Sequence, residues 1–129
     1  MSLSAELNDG IYNALLTALG TATPIFHLQA PDNTPLPYVV YSWQGGGRTN
    51  DVPDLVNRLE FIRAYGTMAY QAAVIDAACA TALDNVNIAV SGWTTVTMMR
   101  QDDYEAVEEQ PNQAPVYTMG GIYRILLDK

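Results

Sequence analysis

Large apolar residues recur at four-residue steps through the first twenty positions: Leu3, Leu7, Ile11, Leu15 and Leu19, with Tyr12 and Leu16 widening the stripe. That spacing is one face of an α-helix and predicts a helix over 3–19. Ser2 or Ser4 stands where a cap is wanted, and Gly20 where a left-handed residue ends a helix. Gly10, inside it, costs about 1 kcal/mol relative to alanine, so this helix must lean on tertiary packing. The short apolar run Ile25-Phe26-His27-Leu28 follows a proline and reads as a brief edge strand. Pro31 to Pro37 holds three prolines among turn formers and reads as an extended connector. From Tyr38 to Trp43 the β-branched and aromatic density predicts a strand, with Val39, Tyr41 and Trp43 on one face and Tyr38, Val40 and Ser42 on the other.

Segment 44–56, with Gly45-Gly46-Gly47 followed by Arg48-Thr49-Asn50-Asp51, is too polar and permissive for a regular ladder and reads as a long exposed hairpin loop. Positions 57–65 alternate as a returning antiparallel strand, Leu59 and Phe61 facing one way and Arg58, Glu60 and Ile62 the other. Thr67 is placed to cap an alanine-rich helix over 68–83, in which Ala72, Ile75, Cys79 and Leu83 form the buried stripe and Asp84-Asn85 the stop. Segments 92–100 and 115–127 read as strands, the second with Tyr117, Met119, Tyr123, Ile125 and Leu127 on one face and a bulge at Gly120-Gly121. Between them, 101–114 reads as an acidic loop. The element order is α-β-β-β-α-β-β.

The length, 129 residues, fits one domain. A composition of 49% hydrophobic and 16% charged residues is that of a chain that packs. No apolar run reaches the roughly 18 residues of a membrane span, and no basic-then-apolar leader opens the chain, so a soluble intracellular protein is expected. One cysteine and one histidine leave no disulfide within the chain, no zinc cluster and no imidazole-based triad. A net charge of −8 opposes a phosphate backbone, and tight nucleic-acid binding is not expected.

Five of the 14 carboxylates fall within eight residues: Asp102, Asp103, Glu105, Glu108 and Glu109. They lack the ordering of a calcium-binding loop, and a solvated surface is the plainer reading. The Gly45-Gly46-Gly47-Arg48-Thr49 run resembles a phosphate cradle without the Walker lysine or a following helix, so a hairpin tip is favoured. His27 and Cys79 read as structural residues, and no metal or cofactor is expected. Trp43, beside the glycine run, reads equally as a core residue or an interface anchor.

Gln29-Ala30-Pro31, then Leu36-Pro37-Tyr38-Val39-Val40-Tyr41, a polar loop, the strand Arg58-Leu59-Glu60-Phe61, an alanine-rich helix and a closing strand over 117–127 together resemble the tail-completion or tail-terminator family of tailed bacteriophages and prophages. The resemblance runs over nearly the whole chain. It implies an α+β subunit with a mostly antiparallel sheet of four to five strands and two helices packed on one face. It also implies a homo-hexameric ring at the head-proximal end of the tail tube, which ends tube growth and meets the major tail tube protein and the head-side connector. The location implied is the virion tail or neck, after assembly in the bacterial cytoplasm, and no enzymatic activity comes with it.

Within that expectation, Trp43, Gly45, Gly46, Gly47, Arg48 and Asp51 are candidates for contact with a neighbouring subunit or partner. Asp102, Asp103, Glu105, Glu108 and Glu109 are candidates for a lumen or rim surface that repels passing DNA. A competing reading is a small-molecule or peptide-binding module on the sheet face around Trp43. An enzyme working with carboxylates alone is a third, with no acid pair spaced to support it.

Overall fold

The predicted first helix is present as α1 (Leu3–Leu19), and Leu7, Ile11 and Leu15 on it are fully buried, whereas Tyr12 lies exposed on the helix flank. Gly20 ends it with a positive φ of 70°. Gly10 is there for a steric reason: a Cβ would lie 2.8 Å from the Ala89 carbonyl oxygen and 2.9 Å from the Val90 side chain, so only glycine lets segment 88–90 close against the helix. The computed structural model describes residues 3–49, 52–93, 95–109 and 111–128. The expectations for Ser2 and Asp51 lie outside them.

The strands are β1 (Ile25–His27), β2 (Tyr38–Thr49), β3 (Val52–Gly66), β4 (Val86–Asn87), β5 (Thr95–Glu108) and β6 (Val116–Asp128), with α2 (Ala69–Leu83) between β3 and β4. They form one six-stranded sheet in the order β1-β2-β3-β6-β5-β4. The expected four to five mostly antiparallel strands therefore become six, because the two-residue β4 pairs with Thr97 and Met98. The sheet is mixed, since β1 lies parallel to β2. The Leu36–Pro37 peptide bond at the entry to β2 is cis.

Two expected loops are largely strand. Segment 44–56 continues as β2 and β3, with Gly45, Gly46, Gly47 and Arg48 paired to Leu59, Arg58, Asn57 and Val56. Segment 101–114 is strand to Glu108, paired with β6 from Asp102 onward. Polarity misleads in both places because cross-strand pairing on one side is enough to hold a strand whose other neighbour is solvent.

Both helices lie on one face of the sheet and on each other. Beneath them Val39, Tyr41, Ile62, Ala64, Val96, Met98, Tyr123, Ile125 and Leu127 close one core with Ile75, Cys79 and Leu83 of α2. In β3 the inward set is Glu60, Ile62 and Ala64, so the apolar Leu59 and Phe61 face away from the helices, and a carboxylate is buried in their place. The opposite face bears no helix among the described residues. It carries Phe61 edge-on to Tyr104 at 4.9 Å, Tyr38 stacked on Tyr65 at 5.0 Å, and the Arg63 guanidinium 4.7 Å over the Phe61 ring.

The caps differ from expectation. Thr67 does not cap α2 with its side chain; its backbone N–H donates to Gln71 Oε1 at 2.8 Å instead. At the far end Asp84 and Asn85, the latter with φ of 59°, stop the helix as expected. No described helix is long and apolar enough to cross a membrane.

Candidate assembly surface

The bulge placed by sequence at Gly120-Gly121 sits instead on the partner strand, between Arg100 and Asp102. The glycines serve close approach. A Cβ on Gly120 would run into the Ile62 carbonyl, and one on Gly121 would lie 2.6 Å from Arg100 Nε. Arg100 fills the space over Gly121. Its Nη1 and Nη2 donate to Asp76 Oδ1 and Oδ2, each at 2.9 Å, Nη2 also to the Gly120 carbonyl at 2.7 Å, and Nε to Asp103 Oδ1 at 2.7 Å. The Arg100 backbone N–H donates to Asp84 Oδ1 at 2.8 Å. The Asp76 hydrogen bonds hold the guanidinium charged beyond its ordinary range. This cluster ties α2, β5 and β6 at the point where β5 leaves the helices behind.

Beyond that tie the five predicted acids project from the end of β5, all exposed. They do not form one cluster. Asp103 and Glu105 share the helix face with Tyr123's row, Asp102 and Glu108 point to the helix-free face, and Glu109 follows the strand. The strand from 101 to 108 pairs with β6 on one side, and on the other, among the described residues, β4 reaches only Thr97 and Met98. An eight-residue edge is left open.

The opposite edge of the sheet is open too. β1 covers only Val39 to Tyr41, so 42–49 of β2 has no neighbour on that side among the described residues. Trp43 stands there 49% exposed, with the Arg58 guanidinium 4.3 Å over its ring. Next to Trp43 in the register is Glu60, 0% exposed, whose two carboxylate oxygens have no hydrogen-bond partner among the described residues. Burial pushes its carboxyl up to about 7, against the pull of Arg58. Trp43, Gly45, Gly46, Gly47 and Arg48 are thus brought together along one edge, and the acids along the other.

The remaining candidates take structural places. His27 stacks on Tyr41 at 5.1 Å between ring centres. Cys79 is buried, and burial pushes its thiol up to about 12. The glycine run is strand, followed by another strand, and so offers no phosphate a helix N-terminus. Among the described residues no three His, Cys, Asp or Glu side chains gather as a metal site.

Sequence reasoning passed over Arg100, Asp76 and Glu60. The available signal was Arg100 itself, a charged residue after the run Val96-Thr97-Met98-Met99, with Gly121 on the neighbouring strand leaving room for its guanidinium.

No protein-family model and no curated protein sequence matches the chain. Its fold is shared with solved structures. A chain from the virion of a native gene transfer agent particle is 15% identical, with a TM-score of 0.64, over 99% of this chain and 98% of that one. A second solved structure, 10% identical with a TM-score of 0.63, is matched over 98% of this chain and 94% of its own.

Proposed function

We propose that this chain is a structural protein of a phage-like particle, a tail terminator or tail completion subunit. It forms a homo-hexameric ring at the head-proximal end of the tail tube, ends tube growth and joins the tail to the head-side connector. The observation that carries the reading is the end-to-end fold likeness to a chain of a gene transfer agent virion, nearly complete in both directions. Among the described residues the sheet ends in two long open edges, which suits a subunit completed by its neighbours. Its partners in this reading are its own copies, the major tail tube protein and the connector, and its place is the virion. Asp102, Asp103, Glu105, Glu108 and Glu109 then edge each copy on both faces of β5, and those turned to the lumen of a ring repel the phosphates of DNA passing through.

The binding-module alternative is not favoured by the groove between α1 and the segment after α2. A groove of about 460 Å³ between α1 and segment 86–89 is lined by residues such as Gly10, Ala14, Ala82 and Ile88, with no charged group and without Trp43.

The test is assembly. Tail tubes polymerised without this protein are expected to acquire a ring at one end and stop lengthening when it is added, as seen by electron microscopy. Tubes that keep growing in its presence reject the reading.

A further inference from the structure

The two open edges match each other in direction, length, chemistry and register. Strand directions alternate across β2, β3, β6 and β5, so when the sheet is continued by a second copy in the same orientation, β5 of one copy meets β2 of the next antiparallel.

The outward-facing backbone groups follow from the hydrogen bonds. On β5 the carbonyls of Val96 and Met98 accept from Ile88 and Asn85, and the Arg100 N–H reaches Asp84, so these alternate residues point away from β6. The bulge after Arg100 shifts the phase by one, and the outward set becomes Asp103, Glu105 and Val107. On β2 the Val39 N–H and the Tyr41 carbonyl bond to Pro24 and Leu28, so Trp43 also points outward. The bulge between Trp43 and Gly45 shifts that phase too, and Gly46 and Arg48 continue the set. Asp103, Glu105, Val107 and Trp43 belong to the helix face of the sheet.

We propose that successive copies of this chain join edge to edge, β5 of one along β2 of the next, with Val107 opposite Trp43, Glu105 opposite Gly46 and Asp103 opposite Arg48. The inference rests on the ring reading and gives it a mechanism. In this register two half-exposed apolar residues cover each other, Trp43 at 49% and Val107 at 50%, and the acid-bearing end of β5 runs along an edge whose sequence has no acid between Ser42 and Thr49. Glycine at 46 leaves room beside Glu105. The ends fit as well: β5 stops at Glu108, short of the place where β1 already occupies Tyr41, and the outward set begins at Asp103, just past Asp84 on the Arg100 N–H.

The geometry closes. Trp43 lies in the row of Tyr123 and Val107 in the row of Tyr117, six residues apart on β6. The copies are therefore offset by about 20 Å along the strands, while the four long strands are about 19 Å wide. A ring built on that step has strands inclined by about 45° to its axis, at the upper end of the 35–45° typical of closed sheets.

Cysteine cross-linking tests it, with the buried Cys79 left in place. Residues opposed in such a ladder have Cα atoms about 5.5 Å apart, within disulfide reach. The double variant Trp43→Cys/Val107→Cys is expected to give a ladder of oxidised multimers up to the ring. The off-register pair Trp43→Cys/Asp103→Cys, about 13 Å apart at four strand residues, is expected to give none. As a second arm, Glu105→Pro removes an N–H that points away from β6, so it is expected to leave the monomer folded by circular dichroism and to abolish the ring in light scattering and on tail tubes. Rings that form with no in-register ladder, or that survive Glu105→Pro, overturn the edge pairing and leave the ring reading standing. Failure of the unmodified protein to form any ring, free or on tubes, overturns both.

Discussion

Arg100 and Asp76 meet through two parallel hydrogen bonds of 2.9 Å, and their side chains are only 15% and 17% exposed. A fork-to-carboxylate pair so shielded cannot lose one member cheaply: without Asp76 the guanidinium keeps only the exposed Asp103 as a counter-charge, and without Arg100 the Asp76 carboxylate loses both of these hydrogen bonds. Asp76→Ala is therefore expected to lower unfolding free energy by about 3 kcal/mol. Arg100→Lys, which keeps the charge and loses the fork, is expected to cost about 2 kcal/mol. The double variant Asp76→Ala/Arg100→Ala costs less than the sum of its single changes. Urea unfolding followed by circular dichroism measures all of them.

Glu60 makes stability depend on pH in the direction opposite to most carboxylates. Its folded carboxyl is pushed up to about 7 by burial, well above the range of an exposed glutamate. Between about pH 4.5 and 7 the unfolded chain loses this proton while the folded chain keeps it, so this group's contribution is full below that window and falls as pH rises through it. Glu60→Gln is expected to match the unmodified protein near pH 4 and to exceed it by about 2–3 kcal/mol at pH 8. Denaturation midpoints across that range give the answer, and a wild-type curve parallel to that of the variant would refute it.

Gly10→Ala tests packing against propensity. Alanine is the better helix former by about 1 kcal/mol. The new methyl would nonetheless meet the Ala89 carbonyl at 2.8 Å and the Val90 side chain at 2.9 Å. The clash is expected to win, with a net loss of about 1–2 kcal/mol and a lower melting temperature.

Cys79 is expected to resist alkylation in the native protein at pH 8 and to react at once in denaturant, since it is buried and its thiol is pushed up to about 12. Timed maleimide labelling read by mass spectrometry distinguishes the two states. Rapid native labelling would show that α2 opens.

Much of the helical layer was legible. Leu7, Ile11 and Leu15, and likewise Ala72, Ile75, Cys79 and Leu83, lie where a 3.6-residue period puts them. The outer strands were not legible beyond Trp43 and Arg100, and the cause is the same in both. A bulge shifts the alternation by one residue, at Gln44 in β2 and Gln101 in β5, so a period-two reading loses phase there, and the polar run beyond looks like a loop. The burial of Glu60 was not legible for a different reason: alternation identifies two faces of β3 but does not say which one the helices cover. The candidate residues on both edges were picked out from glycine and charge alone; their arrangement as complementary strand edges depended on pairings far apart in the chain.

Gly120 and Gly121 give the fold a point that drift cannot easily rewrite. A leucine of the core can be exchanged for isoleucine or methionine with compensating moves nearby, and chains of 10–15% identity share this architecture. At these two adjacent positions no side chain is small enough. One hydrogen faces the backbone of β3 and the other the guanidinium of Arg100. A saturation library selected for assembly should therefore show two neighbouring columns empty of every alternative, set in a strand that otherwise accepts many. That pair of blank columns, with an arginine paired across the sheet, would be a more durable fingerprint for distant kin than any hydrophobic pattern.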